Sequence, residues 1–201
     1  MAEVVLIDWG GGNVGSVRYA LERIGARAVL SANADTIANA PRVILPGVGA
    51  AAPAMRRLRE LDLVDTIRSL RAPLLGICLG MQLLYESSEE GEVECLGLLP
   101  GRVARLPAAP GLRVPHMGWN RLQPTGAESP LLEGIDAGAW AYFVHGFVAP
   151  VTDDTRASTE HGIAFTAVAG RGRCHGAQFH PERSGAVGHL LLSNFLALEA
   201  A

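Results

Sequence analysis

Gly76-Ile77-Cys78-Leu79-Gly80 has the form G-x-C-x-G and lies between an apolar run and a segment with helical spacing. This is the thiol version of a nucleophile elbow, a sharp strand-to-helix turn that lifts a side chain out of a sheet. Glycine on each side relieves the crowding that such a turn creates. A sulfur placed there stands at a helix N-terminus, where unpaired N–H groups favour a thiolate. The Leu79 N–H then points to where an oxyanion would form. Taken alone, Cys78 reads as well as a small buried hydrophobe, which free cysteine often is. Its partners must decide. Gln178-Phe179-His180-Pro181-Glu182 supplies an imidazole and a carboxylate two residues apart. On an extended segment such residues share a side, and Pro181 favours extension at His180. A carboxylate beside an imidazole fixes its tautomer and steadies the imidazolium, which a general base for a thiol requires. Separately, His180 also reads as a structural histidine and Glu182 as a solvated acid. The order Cys…His-x-Glu along one chain is far more specific than either piece.

Pro46-Gly47-Val48-Gly49 offers a second oxyanion donor, the Val48–Gly49 peptide, or else a tight turn that needs glycine for geometry alone. One such donor is typically worth about 10²–10³ in rate. Two glycines let that peptide turn over, and it is expected to face away at rest.

Other constellations are weaker. The three cysteines, Cys78, Cys95 and Cys174, form no C-x-x-C, which argues against a disulfide framework or a structural zinc site. Cys174-His175 offers two metal ligands with no second cluster to complete them. A zinc-deaminase reading of His180-Pro181-Glu182 fails because P-C-x-x-C is missing. His116, His145, His161 and His189 read as ordinary loop or core histidines. Gly10-Gly11-Gly12-Asn13-Val14-Gly15 formally fits the dinucleotide fingerprint, with Asp35 about twenty residues on. Asp8 and Trp9 spoil the tight entry from the strand, and no residue set for hydride transfer accompanies it.

The elements that must carry these residues alternate in the N-terminal half. Strands are expected at Val4–Ile7, Ala28–Leu30, Val43–Leu45 and Leu74–Ile77. Helices are expected at Val14–Ile24 closed by Gly25, at Ala50–Leu70 with a turn or break at Pro53, and at Gly80–Ser87. Farther on, Tyr142–His145 and Gly162–Ala169 read as strands of a more antiparallel region. Gly185–Ala200 reads as a helix with Ser184 as N-cap. Strand–helix alternation predicts a single-domain α/β fold over residues 1–201, a three-layer sandwich with a mostly parallel central sheet.

A chain of 201 residues that is 49% apolar can bury one sizeable core. A net charge of −3 without a basic stripe points away from nucleic acid. Apolar runs are too short for a membrane span, and the start lacks the pattern of a secretory signal. A reducing, cytoplasmic setting fits the free thiols.

The combination of Pro46–Gly49, Gly76–Gln82 and Gln178–Glu182 resembles the class I (triad) glutamine amidotransferases. Within them it is similar to the glutaminase subunits of imidazole glycerol phosphate synthase, of histidine biosynthesis. Ile7–Asn13 with Ser16-Val17, Pro46–Ala50, Pro115–Asn120 and Tyr142–His145 carry the narrower likeness. The resemblance implies glutamine hydrolysis to glutamate and ammonia through a cysteine thioester, with no cofactor and no metal. It implies Cys78 as nucleophile, His180 as base and acid, Glu182 as its orienter, and Leu79, Val48 and Gly49 at the oxyanion. Gly47, Gln82, Gly146 and Phe147 would hold glutamine. Asn13, Trp119, Tyr142 and Arg183 would face a separate (β/α)8-barrel cyclase subunit in a heterodimer. Trp9, Ala51, Gly146 and Arg183 depart from the residues common in that family, and none of them is in the triad.

Overall fold

The computed structural model describes residues 3–11 and 13–199. Gly12 of the glycine turn and Ala200 of the expected last helix lie outside them. The alternating half comprises β1 (Glu3–Ile7), α1 (Val14–Arg23), β2 (Arg27–Ser31), α2 (Ala34–Ala38), β3 (Val43–Gly47), α3 (Ala51–Glu60), α4 (Leu63–Arg68), β4 (Leu74–Cys78) and α5 (Leu79–Gln82). Then come β5 (Ser87–Ser88), β6 (Val93–Glu94), β7 (Arg102–Arg105), β8 (His116–Arg121) and β9 (Gln123–Pro124). The chain finishes with β10 (Trp140–His145), β11 (Phe147–Val148), β12 (Thr155–His161), β13 (Ile163–Arg171), β14 (Cys174–Ala177) and α6 (Gly185–Ala197).

The main sheet has the order β2-β1-β3-β4-β14-β13-β12-β9. Its first five strands are parallel and the rest antiparallel. Along β1, Val4 and Leu6 face one core with Val17, Leu21, Leu191 and Phe195 of α1 and α6. Val5 and Ile7 face the other, with Ile37, Met55, Leu58 and Ile67 of α2, α3 and α4. Strands buried on both faces must be apolar throughout, which explains their unbroken runs. The result is the expected α/β three-layer sandwich with a mostly parallel sheet. A β8–β10 ribbon and a small sheet of β11, β7, β5 and β6 lie beside it. No described helix is long and apolar enough to cross a membrane.

Three local expectations are corrected. The stretch after Ala50 forms two helices rather than one, and the break is not at Pro53. Pro53 sits in the first turn of α3, where its missing N–H costs no helical bond. The chain turns instead at Asp62, whose φ of 55° is left-handed. The helix after Cys78 spans four residues, not Gly80–Ser87. The carbonyls of Leu83, Leu84 and Tyr85 are taken by N–H groups of Leu96, Gly97, Leu98 and Leu99, so the helical ladder cannot continue. Ser184 precedes α6 but makes no side-chain cap. Its hydroxyl is committed elsewhere: it donates to the His180 carbonyl at 2.7 Å and accepts from the Tyr142 N–H at 2.9 Å.

Candidate active site

β4 lies between β3 and β14, with Gly47 opposite Cys78 and Ala177 opposite Ile77. The three chemistry-bearing segments therefore leave the sheet side by side, at the carboxyl ends of its parallel strands. Open α/β sheets place ligands at that edge. Cys78 turns the chain with φ 53° and ψ −112°, a conformation that costs about 1–3 kcal/mol in a residue with a Cβ. Interlocked glycines hold it there. A Cβ on Gly80 would lie 1.8 Å from the Leu45 carbonyl oxygen, and one on Gly76 would lie 2.6 Å from the Gly80 oxygen. A Cβ on Gly47 would lie 2.7 Å from the Gly80 nitrogen. These contacts are backbone on backbone, so no side-chain rotation relieves them. The helix they support is shorter than expected, so its field at the sulfur rests on the local N–H groups alone.

His180 reaches the same place from β14. Its Nδ1 lies 2.9 Å from Glu182 Oε1, with the two side chains 10% and 3% exposed. The pair is not two residues of a straight strand. Pro181–Arg183 forms a 3-10 turn that brings the carboxylate round to the imidazole. Gly188 admits this turn, because a Cβ there would lie 1.8 Å from the Pro181 oxygen. Glu182 Oε2 is buried without a hydrogen-bond partner among the described residues. Burial alone would pull the His180 imidazolium down. The Cys78 sulfur on one side and the Glu182 carboxylate on the other outweigh it and hold the group at about 10. The His180 backbone is fixed as well, its N–H donating to the Tyr142 oxygen at 2.9 Å. The Cys78 thiol stands 3.7 Å from the Val144 carbonyl, and Gln178 Nε2 donates to the sulfur at 3.8 Å.

A cavity of about 270 Å³ opens over the sulfur. Val48, Gly49, Leu79, Gln82, Gly146, Phe147 and His180 line it, all of them sequence-predicted. Gly49 has φ +104°, which favours glycine, and buried Trp9 steadies the loop by donating Nε1–H to the Pro46 oxygen at 2.9 Å. Gly47 does not line the cavity; it lies behind, against Leu79 and Gly80. The arrangement presents a sulfur, an imidazole held by a carboxylate, and main chain of the Val48–Gly49 and Cys78–Leu79 segments around a space sized for a small polar molecule, which suits acyl transfer.

Residues 5–198 match the model of the family described as glutamine amidotransferase class-I. The chain belongs to that family. It is 60% identical over 198 residues to the imidazole glycerol phosphate synthase subunit HisH of Xanthomonas euvesicatoria pv. vesicatoria, covering 98% of both chains. It is 57% identical over 201 residues to the protein of the same name from Xylella fastidiosa, covering 100% of both. Among solved structures, a glutamine amidotransferase shares the fold with TM-score 0.74 at 20% identity, over 98% of this chain and 97% of that one. Another, from Thermotoga maritima, gives 0.69 at 15% identity, over 98% and 99%.

In this class-I amidotransferase the residues expected to face a partner also gather. Asn13, Tyr142 and Arg183 line a second crevice of about 260 Å³ with Val48, Val144 and His180. It adjoins the first cavity, since Val48, Val144 and His180 line both. Trp119 does not enter the crevice but packs edge-on against Tyr142, with ring centroids 5.8 Å apart. Both belong to the outer face of the β8–β10 ribbon, where Met117 pairs with Val144, Trp119 with Tyr142, and Arg121 with Trp140. Met117 is 65% exposed and Trp119 53%, an apolar face of the kind that marks an interaction site.

Two groups escaped the sequence reading. Glu90 lines the cavity from the loop after β5, and its Oε2 accepts the Ala51 N–H at 2.9 Å. Burial pushes its carboxyl above the usual range. His145 lines the cavity too, and its ring bonds to His116. Cys174 and His175 are consecutive on β14 and face opposite sides of the sheet, so they do not chelate together. Asp35 sits exposed in the first turn of α2, just past the end of β2 at Ser31.

Proposed function

We propose that this chain is the glutaminase subunit of an imidazole glycerol phosphate synthase of histidine biosynthesis, with Cys78, His180 and Glu182 as its triad. The observation that carries the mechanism is the buried His180 imidazole, with Nδ1 2.9 Å from the Glu182 carboxylate, lining the same cavity as the Cys78 sulfur. In the proposed cycle the sulfur attacks the glutamine side-chain carboxamide, assisted by His180 as base or as ion-pair partner. The Leu79 N–H and the Val48–Gly49 peptide take the oxyanion. The proton that His180 holds after the thiol has given it up goes to the departing ammonia, and Glu182 Oε1 holds its Nδ1 edge so that Nε2 is left for the sulfur. Water then hydrolyses the glutamyl thioester. Gln82 and the Gly146–Phe147 backbone hold glutamine, and Glu90, the one carboxylate among the cavity-lining residues, meets its ammonium.

Ammonia must leave unprotonated to act as a nucleophile, and bulk water at neutral pH would protonate it. The crevice lined by Asn13, Tyr142 and Arg183 opens next to His180, under the apolar ribbon face. This supports docking of a (β/α)8-barrel cyclase subunit there, as a heterodimer that passes ammonia through a dry route. The test is glutamate release by the chain alone, then with a cyclase subunit and its ribonucleotide ligand. Strong activation only in the complex is expected. Full activity of the isolated chain would point to an unregulated thiol hydrolase, and glutaminase activity surviving in Cys78→Ala would end the nucleophile assignment.

A further inference from the structure

His145 in the cavity wall and His116 behind it form a pair that the proposed chemistry does not use. His145 Nδ1 is 2.9 Å from the Phe147 carbonyl oxygen. A carbonyl only accepts, so the ring proton sits on Nδ1 and Nε2 of the neutral ring is an acceptor. His116 Nδ1 stands 3.1 Å from that Nε2 and must donate to it. His116 Nε2 is then the acceptor for Asn120 Nδ2 at 3.4 Å. The Asn120 amide is itself oriented, donating to the Glu160 oxygen at 2.8 Å and accepting from the Arg121 N–H at 2.8 Å. Every bond direction in this chain is determined, provided that both rings are neutral with hydrogen on Nδ1. A second proton on His145 would set one N–H against another. Burial, with Phe143 and Phe165 packed on the rings, keeps them neutral by pulling His145 down to about 3 and His116 to about 4.

The Phe147 oxygen takes a second bond, from Gln82 Nε2 at 2.9 Å, and Gln82 Nε2 also donates to Gln178 Oε1 at 2.9 Å. Both Gln82 N–H groups are thereby committed, and its Oε1 is left for the cavity. We propose that His145, tautomer-locked by His116, is a positioning residue for glutamine: it anchors the Phe147 carbonyl and so sets the Gly146–Phe147 wall and the orientation of the Gln82 carboxamide. The proposal rests on the glutaminase reading and adds to it a cause for substrate affinity that lies outside the triad.

The test has two arms. In the full chain, ¹⁵N NMR of the imidazoles at neutral pH is expected to show His116 and His145 neutral with hydrogen on Nδ1, against the Nε2–H form that free histidine prefers. An Nε2–H His145 would overturn the proposal. In the complex with the cyclase subunit, His145→Phe removes both bonds and His145→Asn keeps a donor near Nδ1. His145→Phe is expected to raise the glutamine KM about tenfold with kcat changed less than about threefold, and His145→Asn to restore most of the KM. A fall in kcat at unchanged KM would refute positioning of the bound glutamine. His116→Phe, farther from the cavity, repeats the test should His145→Phe not fold, with a smaller rise in KM expected and an unchanged KM refuting the relay. Absence of glutaminase activity in the unaltered complex would sink the enzymatic reading instead, leaving the tautomer measurement to decide the hydrogen-bond chain by itself.

Discussion

Replacing Glu182 by glutamine removes one charge while keeping the shape and an oxygen able to accept the His180 Nδ1–H. The lost part is the charge assistance in a 2.9 Å bond between nearly buried side chains. Hydrogen bonds to charged groups are worth about 1.5–3 kcal/mol net and neutral ones about 0.5–1.5, so the difference is about 1–2 kcal/mol. Nothing else compensates, because Glu182 Oε2 has no partner among the described residues. At about 1.4 kcal/mol per factor of ten, kcat for glutamine hydrolysis should fall roughly 5- to 30-fold. The KM for glutamine should stay within about twofold, since Glu182 does not line the cavity. His180 loses one of the partners that hold its proton, so the alkaline limb of the kcat profile should move to lower pH. The assay is steady-state glutamate release in the activated complex from about pH 6 to 11, with thermal unfolding as the control for integrity. A Glu182→Gln enzyme with kcat within twofold of the parent and an unmoved alkaline limb would refute the orienting role.

The unaltered chain should lose activity only as pH rises through about 10, where His180 gives up its proton. Because that group is raised above its ordinary value near 6.5, its contribution to stability should be full below about 6.5 and disappear as pH climbs through about 10, which urea unfolding against pH measures. Gly188→Ala puts a Cβ against the Pro181 carbonyl and should cost about 1–3 kcal/mol, a drop in Tm of roughly 2–12 °C by calorimetry; an unchanged Tm would show that the Glu182 turn yields easily. Glu90→Gln should raise the glutamine KM about 10- to 100-fold if its carboxylate meets the substrate ammonium, with kcat little changed in the same assay. Arg183→Ala should weaken binding of the cyclase subunit in titration calorimetry while leaving Tm within a degree or so, as befits an exposed side chain; unchanged affinity and activation would remove it from the interface.

The elbow could be read from the sequence because its determinants are local. Gly76 and Gly80 flank Cys78, and the backbone contacts that require them also make the motif recognisable. The parallel strands could be read because burial on both faces leaves an unbroken apolar run. The length of α5 could not, since Leu83, Leu84 and Tyr85 are buried whether or not the helix continues, and the groups that stop it come from residues 96–99. An extended backbone would set Glu182 beside His180, and the 3-10 turn that replaces it also returns the carboxylate to Nδ1. His116 and His145 read as ordinary histidines, since nothing near either announces the other. Only the antiparallel pairing of β8 with β10 sets them opposite each other. Glu90 belongs to the same class: an acid on a loop becomes a wall of the cavity through tertiary packing alone.

The two halves of the site are held by different means. On the sulfur side, Gly47, Gly76 and Gly80 bring backbone onto backbone, and moving Cys78 would move β3, β4 and α5 together. On the imidazole side the hold is a ring of hydrogen bonds. The His180 N–H donates to the Tyr142 oxygen, the Tyr142 N–H donates to Ser184 Oγ, and the Ser184 hydroxyl returns to the His180 carbonyl. Tyr142 belongs to the ribbon whose outer face carries Trp119 and Trp140, and the Val48–Gly49 loop hangs on Gly49 with its positive φ. A load applied to that face reaches His180 through the hydrogen bonds of Tyr142, and reaches the sulfur through the Val144 carbonyl 3.7 Å away. In the proposed heterodimer a subunit docked on the ribbon would therefore bear on His180 through hydrogen bonds that can shift, while the interlocked glycines hold the Cys78 backbone in place.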